Sequence, residues 1–290
     1  MATHVSAVAP VARRRRPIDF ANIGLWIALF IVCIIWLTPM YMMFLTSVKS
    51  TADVTRLPTW VFPTQWEWSN YPAAVEAGNL WVTGLNSTIV SVIKVPLGLF
   101  VAALAGYALA RLRYKHTKLV LGIFAVGSMV PIQVGLGPLF NQMLRLGLLD
   151  SIWGLLLPYL AFGIPYQIFM LYGFFSAIPN EIEESAALDG ASTFRQFWQI
   201  CIPLVKPALA ALFVLDFVAT WNEYAMATTL LQSSSNWTIP VAVQSFSGQH
   251  STEYGELNAF ILMSAIPVLI VYLIFQRYFV NGAFSGSIKG

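Results

Sequence analysis

Six apolar stretches, each long enough to cross a bilayer, constrain this chain more than any other feature. A hydrocarbon core about 30 Å thick needs about 20 helical residues. Runs of that order occur at Ile23–Thr46, Leu85–Leu109, Leu119–Phe140, Ile152–Phe175, Ala208–Leu231 and Leu257–Phe279. They are continuous and do not alternate, which points to helices, because a sheet with open edges leaves its backbone unsatisfied in lipid. Of 290 residues, 58% are apolar and 10% charged, against about 45–50% and about 25% in a soluble domain. Too few charges remain to solvate a compact soluble fold, and disorder, a disulfide-stapled secreted module and a nucleic-acid-binding domain are all disfavoured. The expectation is an all-α integral membrane protein with six transmembrane helices. The second run carries Lys94 and Pro96, the fourth is interrupted by Pro165, and the fifth holds Asp216 and Glu223.

Orientation follows from Lys and Arg in the connections. With six spans both termini share one side. That side collects Arg13–Arg16, then Arg111, Arg113, Lys115 and Lys118, then Arg195 and Lys206, then Arg277 and Lys289. The other side holds only Lys49, Arg56 and Arg145. Both termini are therefore expected in the cytoplasm. The first run is too long, and lacks a clear small-residue cleavage pattern, for a removed signal peptide; Arg13–Arg16 reads as a positive-inside anchor in preference to a twin-arginine signal. Cys33 lies in a span and Cys201 in a cytoplasmic segment, so no disulfide is expected between them. The expected layout is a cytoplasmic tail over 1–20, a six-helix membrane domain over 21–281, and a second cytoplasmic tail over 282–290.

The longest connections are Ser47–Gly84, Ser176–Pro207 and Gln232–Glu256. The first is rich in Trp60, Trp66, Trp68, Tyr71 and Trp81, which suits either an interfacial aromatic belt or a ligand-stacking surface. In the second span Gly98, Ala102, Gly106 and Ala110 fall four apart, a small-residue row that lets a neighbouring helix approach closely.

Ser176–Pro207 is polar yet looks folded. Pro179 suits a first helical position, and Glu181, Glu183 and Glu184 follow where a helix N-terminus favours negative charge. Gly190 supplies a left-handed stop. Thr193 and Gln196 have capping-box spacing for a second short helix, and Pro203 is expected to close it. A short helix bearing Ser185, Ala186 and Ala187 can enter a groove on a partner without overpacking it; a plain surface loop is the alternative on residue pattern alone.

Glu184-Ser185-Ala186, Asp189-Gly190 and Ile200-Cys201-Ile202-Pro203 resemble the EAA loop of binding-protein-dependent ABC importer permeases, with Ser185 and Ile202 as size-conserving departures. Ala105-Gly106-Tyr107-Ala108-Leu109-Ala110-Arg111, Trp221-Asn222-Glu223 and Gln276-Arg277-Tyr278-Phe279-Val280 are similar to MalG-type carbohydrate permeases. The resemblance implies a type I ABC importer permease fold in a bacterial inner membrane, transporting a carbohydrate by alternating access. It implies a homologous MalF-like permease subunit, an ATPase dimer that binds ATP and Mg, and an extracytoplasmic sugar-binding protein. Glu184, Ser185, Ala186, Asp189, Gly190 and Pro203 would then form the coupling element seated in an ATPase cleft. Gln232–Glu256 corresponds to the loop that probes the binding protein, and Ala283–Gly290 to the tail that reaches between the ATPases.

Asp216 and Glu223 are seven apart and so share a helical face, with Asn222 adjacent. Intramembrane acids point to function because lipid exposure is expensive; these three are candidate path-lining residues, the alternative being a structural pair with Lys94. No Gly-Lys dipeptide occurs, so there is no phosphate loop of the Walker type and no cofactor is expected on this chain itself. His4, His116 and His250 are scattered, without metal-ligand spacing, and no catalytic constellation can be drawn. An ion-coupled secondary transporter using the intramembrane acids is the competing reading.

Overall fold

The computed structural model describes residues 20–112, 114–248 and 252–285, the side chains of 20–23 and 279–285 excepted. The expected N-terminal tail with Arg13–Arg16, Arg113, His250 and residues 286–290 lie outside the described residues. The described residues are helical, apart from connecting segments and one isolated antiparallel bridge between Ser247 and Thr252.

In chain order the helices are α1 (Phe20–Ser47), α2 (Thr51–Arg56), α3 (Asn70–Ala77), α4 (Leu80–Arg111), α5 (Thr117–Ser128), α6 (Ile132–Arg145), α7 (Ile152–Ser176) and α8 (Asn180–Leu188). After them come α9 (Thr193–Gln196), a π-helical turn over Phe197–Cys201, α10 (Ile202–Trp221), α11 (Ala225–Leu230), α12 (Ile239–Ala242) and α13 (Tyr254–Ser285). Five helical segments are long and apolar enough to cross a membrane, and the α5–α6 pair makes a sixth if its two halves are one crossing. That pair, expected as one span over Leu119–Phe140, bends by 91°. Its cause is Pro131, which has no N–H and forces the preceding residue out of helical geometry; α6 restarts just after it. Pro165, expected to interrupt the fourth run, lies inside a continuous α7.

The core is built from α4, α7, α10 and α13. Val95, Leu99, Ala102, Leu171, Phe175 and Phe260 are buried among them. The small-residue row does what its spacing predicts: a Cβ at Gly106 would sit 3.1 Å from the backbone nitrogen of Tyr172, so α4 and α7 meet almost backbone to backbone. α1 lies outside this core, leaning on α13 with most of its surface exposed.

The fifth span differs most from expectation. Pro203 does not end a helix. The chain is helical from Thr193 to Trp221, because the π-helical turn, in which the Ile202 N–H reaches back to the Phe197 carbonyl, delivers Pro203 into the first turn of α10, where its missing N–H costs little. At the far end α10 stops at Trp221, ten residues before the apolar run does.

The Ser47–Gly84 connection folds against the bundle end opposite α8. Lys49 is buried and donates to the Pro58 carbonyl at 2.8 Å and the Thr59 carbonyl at 3.3 Å; burial lowers its pKa while nearby Asp53 acts to raise it. Tyr41, Phe62, Trp66, Trp68 and Tyr71 form a continuous ring-to-ring ladder, with Trp66 and Trp68 stacked at 5.9 Å. Cys33 and Cys201 are both free thiols.

Candidate functional site: the α8 lever and the polar cavity above it

α8 has no buried residue and stands off the end of the bundle. Pro179, expected as the first helical residue, is instead the N-cap, and the helix starts at Asn180. Glu181 and Glu183 occupy the first turn, where they complement the macrodipole. At the other end Gly190 takes φ +81°. The Ala191 N–H bonds the Ala186 carbonyl at 2.9 Å and the Gly190 N–H bonds the Ala187 carbonyl at 3.0 Å, the paired closure of a Schellman turn. Only a residue at ease with positive φ closes the helix this way.

The second short helix begins one residue earlier than its capping pattern predicts. Ser192, not Thr193, is the cap and accepts the Arg195 N–H, while the Gln196 side chain donates to the Ala191 carbonyl at 3.0 Å. Glu184, Ser185, Asp189 and Gly190 are exposed and Ala186 half-buried. Leu188 at 90% and Phe194 at 68% exposure place two large apolar side chains in water around the turn. Pro203 is exposed on the first turn of α10 and does not belong to the lever.

The root of α8 is fastened by a residue that the sequence places at the cytoplasmic end of the second span and at the end of the Ala105–Arg111 motif. Arg111, the last residue of α4, pairs with Glu183 at 2.7 Å; these side chains are only 9% and 12% exposed. The same guanidinium donates to the carbonyls of Phe175 (2.8 Å) and Ile178 (2.6 Å) and to the Asn180 side chain. The Tyr107 hydroxyl donates to the other Glu183 oxygen at 3.1 Å. Tyr107 also packs on Phe197 at 5.1 Å and Phe175 at 5.6 Å between ring centroids, joining α4, α7 and the π-helical turn beneath the lever. Glu183, not Glu184, is thus the anchored carboxylate. Tyr107 and Arg111 are one helical turn apart and face an acidic helix, which was the available signal.

Asp216 and Glu223 do not share a helical face, since the helix ends between them. Asp216 pairs with Lys94 of α4, as the structural alternative held. Glu223 lies in the turn after α10, where its carboxylate accepts the N–H groups of Met226 (2.8 Å) and Ala227 (3.0 Å) and the Tyr159 hydroxyl (2.6 Å). It caps α11, satisfying donors left free at a helix start. The two acids nonetheless line one cavity of about 180 Å³ together with Lys94 and Tyr159. Asn222 is exposed and faces a separate cleft beside Tyr224 and Gln244.

Beyond this cavity the 232–256 connection is pinned down at its start. Asp150, at φ +52°, accepts the N–H groups of Gln232 (2.9 Å) and Ser233 (2.8 Å) and the Ser233 hydroxyl. Partial burial alone would raise its pKa, but these bonds outweigh it and hold the carboxyl at about 2. Asn86 donates to the carbonyls of Ser235 (2.9 Å) and Trp237 (3.0 Å).

The family described as "Binding-protein-dependent transport system inner membrane component" matches residues 94–284, a stretch that holds most of α4, the whole of α8 and both Asp216 and Glu223. The chain belongs to this family. Among its relatives, the diacetylchitobiose uptake system permease protein NgcG of Streptomyces coelicolor is 31% identical over 285 residues, covering 98% of this chain and 92% of the relative. The trehalose transport system permease protein SugB of Mycobacterium tuberculosis is 33% identical over 257 residues, covering 88% and 93%. A solved bacterial ABC transporter involved in import of the acidic polysaccharide alginate superposes with a TM-score of 0.74 at 27% identity, covering 93% of this chain and all of that one. A second alginate transporter, solved in complex with an alginate pentasaccharide-bound periplasmic protein, shares the fold at TM-score 0.66 and 16% identity. The fold is that of an ABC importer permease, and the ion-coupled alternative loses its basis.

Proposed function

We propose that this permease subunit serves a carbohydrate importer, and that α8 is the element through which a separate ATPase drives it. The observation that carries the proposal is mechanical: a helix rooted in the core by Arg111 and Glu183 and ended by a left-handed glycine turn presents Leu188 outward. Glu184, Ser185, Ala186, Asp189 and Gly190 form the face that enters the ATPase cleft; Pro203 acts at one remove, as the junction between α9 and α10. ATP and Mg belong to the partner ATPase dimer. A homologous MalF-like permease completes the path, and an extracytoplasmic binding protein delivers the sugar. Relatives named for saccharides support a carbohydrate substrate.

The excess of Lys and Arg beside α8 favours a cytoplasmic lever and cytoplasmic termini, which requires the bent α5–α6 pair to be one crossing. Closure of the ATPases displaces α8. The Arg111 clamp passes that motion to α4, and the π-helical turn passes it to α10. ATP then favours the outward-facing arrangement only by as much as the closed ATPase fits it better. Asp216 and Glu223 line the path from their shared cavity, and Asn222 from its own cleft. Reconstitution with the partner permease, ATPase and binding protein tests this: uptake should require ATP, and the cognate glycan should stimulate hydrolysis. Uptake by this chain alone on an ion gradient would overturn it.

A further inference from the structure

A groove with an apolar wall and a cationic rim lies beside the turn that joins α9 to α10. α4, α10 and α13 leave an apolar groove of about 320 Å³ between them, walled by Leu99, Leu209, Phe213 and Phe275. At its rim, on the same half of the bundle as α8, two cations converge on one ring. Lys206 Nζ lies 5.7 Å and the Arg277 guanidinium 5.0 Å from the centroid of Tyr278. Both side chains are exposed, and neither has a carboxylate partner among the described residues. The Tyr278 ring attracts both cations and its hydroxyl accepts from Arg277 at 3.2 Å, but neither contact neutralises their charge, so this rim attracts an anion.

We propose that this groove binds one anionic phospholipid of the surrounding leaflet, with its phosphate held at the rim by Lys206 and Arg277 beside Tyr278 and an acyl chain along the groove. A greasy channel topped by paired cations at the membrane surface is the chemistry such a lipid requires. A buried methylene strengthens binding about fourfold, and a cation near the surface about fivefold. The groove wall includes Phe197 and Ile202, the ends of the π-helical turn that joins the lever to α10. Occupancy therefore stiffens the segment through which α8 would act, so the lipid modulates coupling in the function proposed above.

The test uses the assembled importer in nanodiscs of phosphatidylcholine doped with phosphatidylglycerol, reading retained lipid by native mass spectrometry after mild extraction. The wild type should retain phosphatidylglycerol in preference to phosphatidylcholine. Lys206→Ala with Arg277→Ala should weaken that retention about 30-fold. Leu209→Trp, which plugs the groove, should abolish it, whereas Lys206→Arg with Arg277→Lys should keep it and so control for folding. Equal retention in the alanine pair would overturn the proposal. So would crosslinking of a Phe213→Cys variant to the partner permease, which would make the groove a subunit interface. A nanodisc offers both leaflets, so failure here would leave the permease assignment and its orientation intact.

Discussion

Replacing Arg111 by alanine should uncouple the lever without removing it. One guanidinium holds Glu183, two main-chain carbonyls and Asn180. Its loss strands a carboxylate whose side chain is 12% exposed, with the Tyr107 hydroxyl and the Cys201 thiol, both neutral, left beside it. Truncating one partner of a buried pair costs about 3–5 kcal/mol, most of it from the uncompensated charge. That energy is local to the junction of α4 and α8, so the chain should still insert while α8 loosens from the bundle. In the reconstituted complex, glycan-stimulated ATPase activity and uptake should fall at least about tenfold, since about 1.4 kcal/mol of lost coupling suffices for that. Arg111→Lys should recover only part of the activity, because an ammonium cannot reproduce the planar fork. Arg111→Met combined with Glu183→Leu should restore thermal stability toward wild type, since removing both charges removes the stranded one. Normal stimulated hydrolysis in Arg111→Ala would refute the clamp.

Gly190→Val should reduce uptake while leaving membrane insertion intact, and Gly190→Asn should do less harm: at φ +81° the open space around the residue is no help to a β-branched side chain, and uptake beside a membrane-fraction blot checks it. Lys94→Met and Asp216→Asn should each destabilise the solubilised protein by about 3–5 kcal/mol, with the double variant much closer to wild type, measured as a double-mutant cycle of thermal unfolding. Asp150 has a pKa held at about 2, below its unfolded value, so its contribution is complete above about pH 4 and is lost as pH falls through about 2. Anchoring of 232–236 should therefore be flat between about pH 5 and pH 8, and Asp150→Ala should speed amide exchange there at every pH in that window.

Much of the architecture was legible because membrane insertion depends on summed hydropathy, which a linear sequence carries in full. The turn at Gly190 was legible for a different reason: few residues besides glycine follow a helix with positive φ. Hydropathy says nothing about backbone direction, and so the 91° bend at Pro131 was missed. The pairing of Asp216 with Glu223 by a seven-residue period assumed a helix through Asn222, where the helix in fact stops because Glu223 is engaged in capping the next one. Pro203 failed as a terminator because the π-helical turn before it absorbs the missing donor. The Arg111–Glu183 clamp joins residues 72 positions apart in the chain; the polar pair Tyr107 and Arg111 is a local sign of it, but one that does not name the partner.

The account rests on α8 being where the ATPase pushes. A photoreactive crosslinker on Leu188→Cys, with Cys33 and Cys201 replaced, should capture the ATPase subunit in the assembled complex and change its yield when ATP is added, while the same probe on Trp81→Cys at the opposite end of the bundle should not. Capture of the binding protein from position 188, or of no subunit at all in a complex that still hydrolyses ATP on demand, would contradict it.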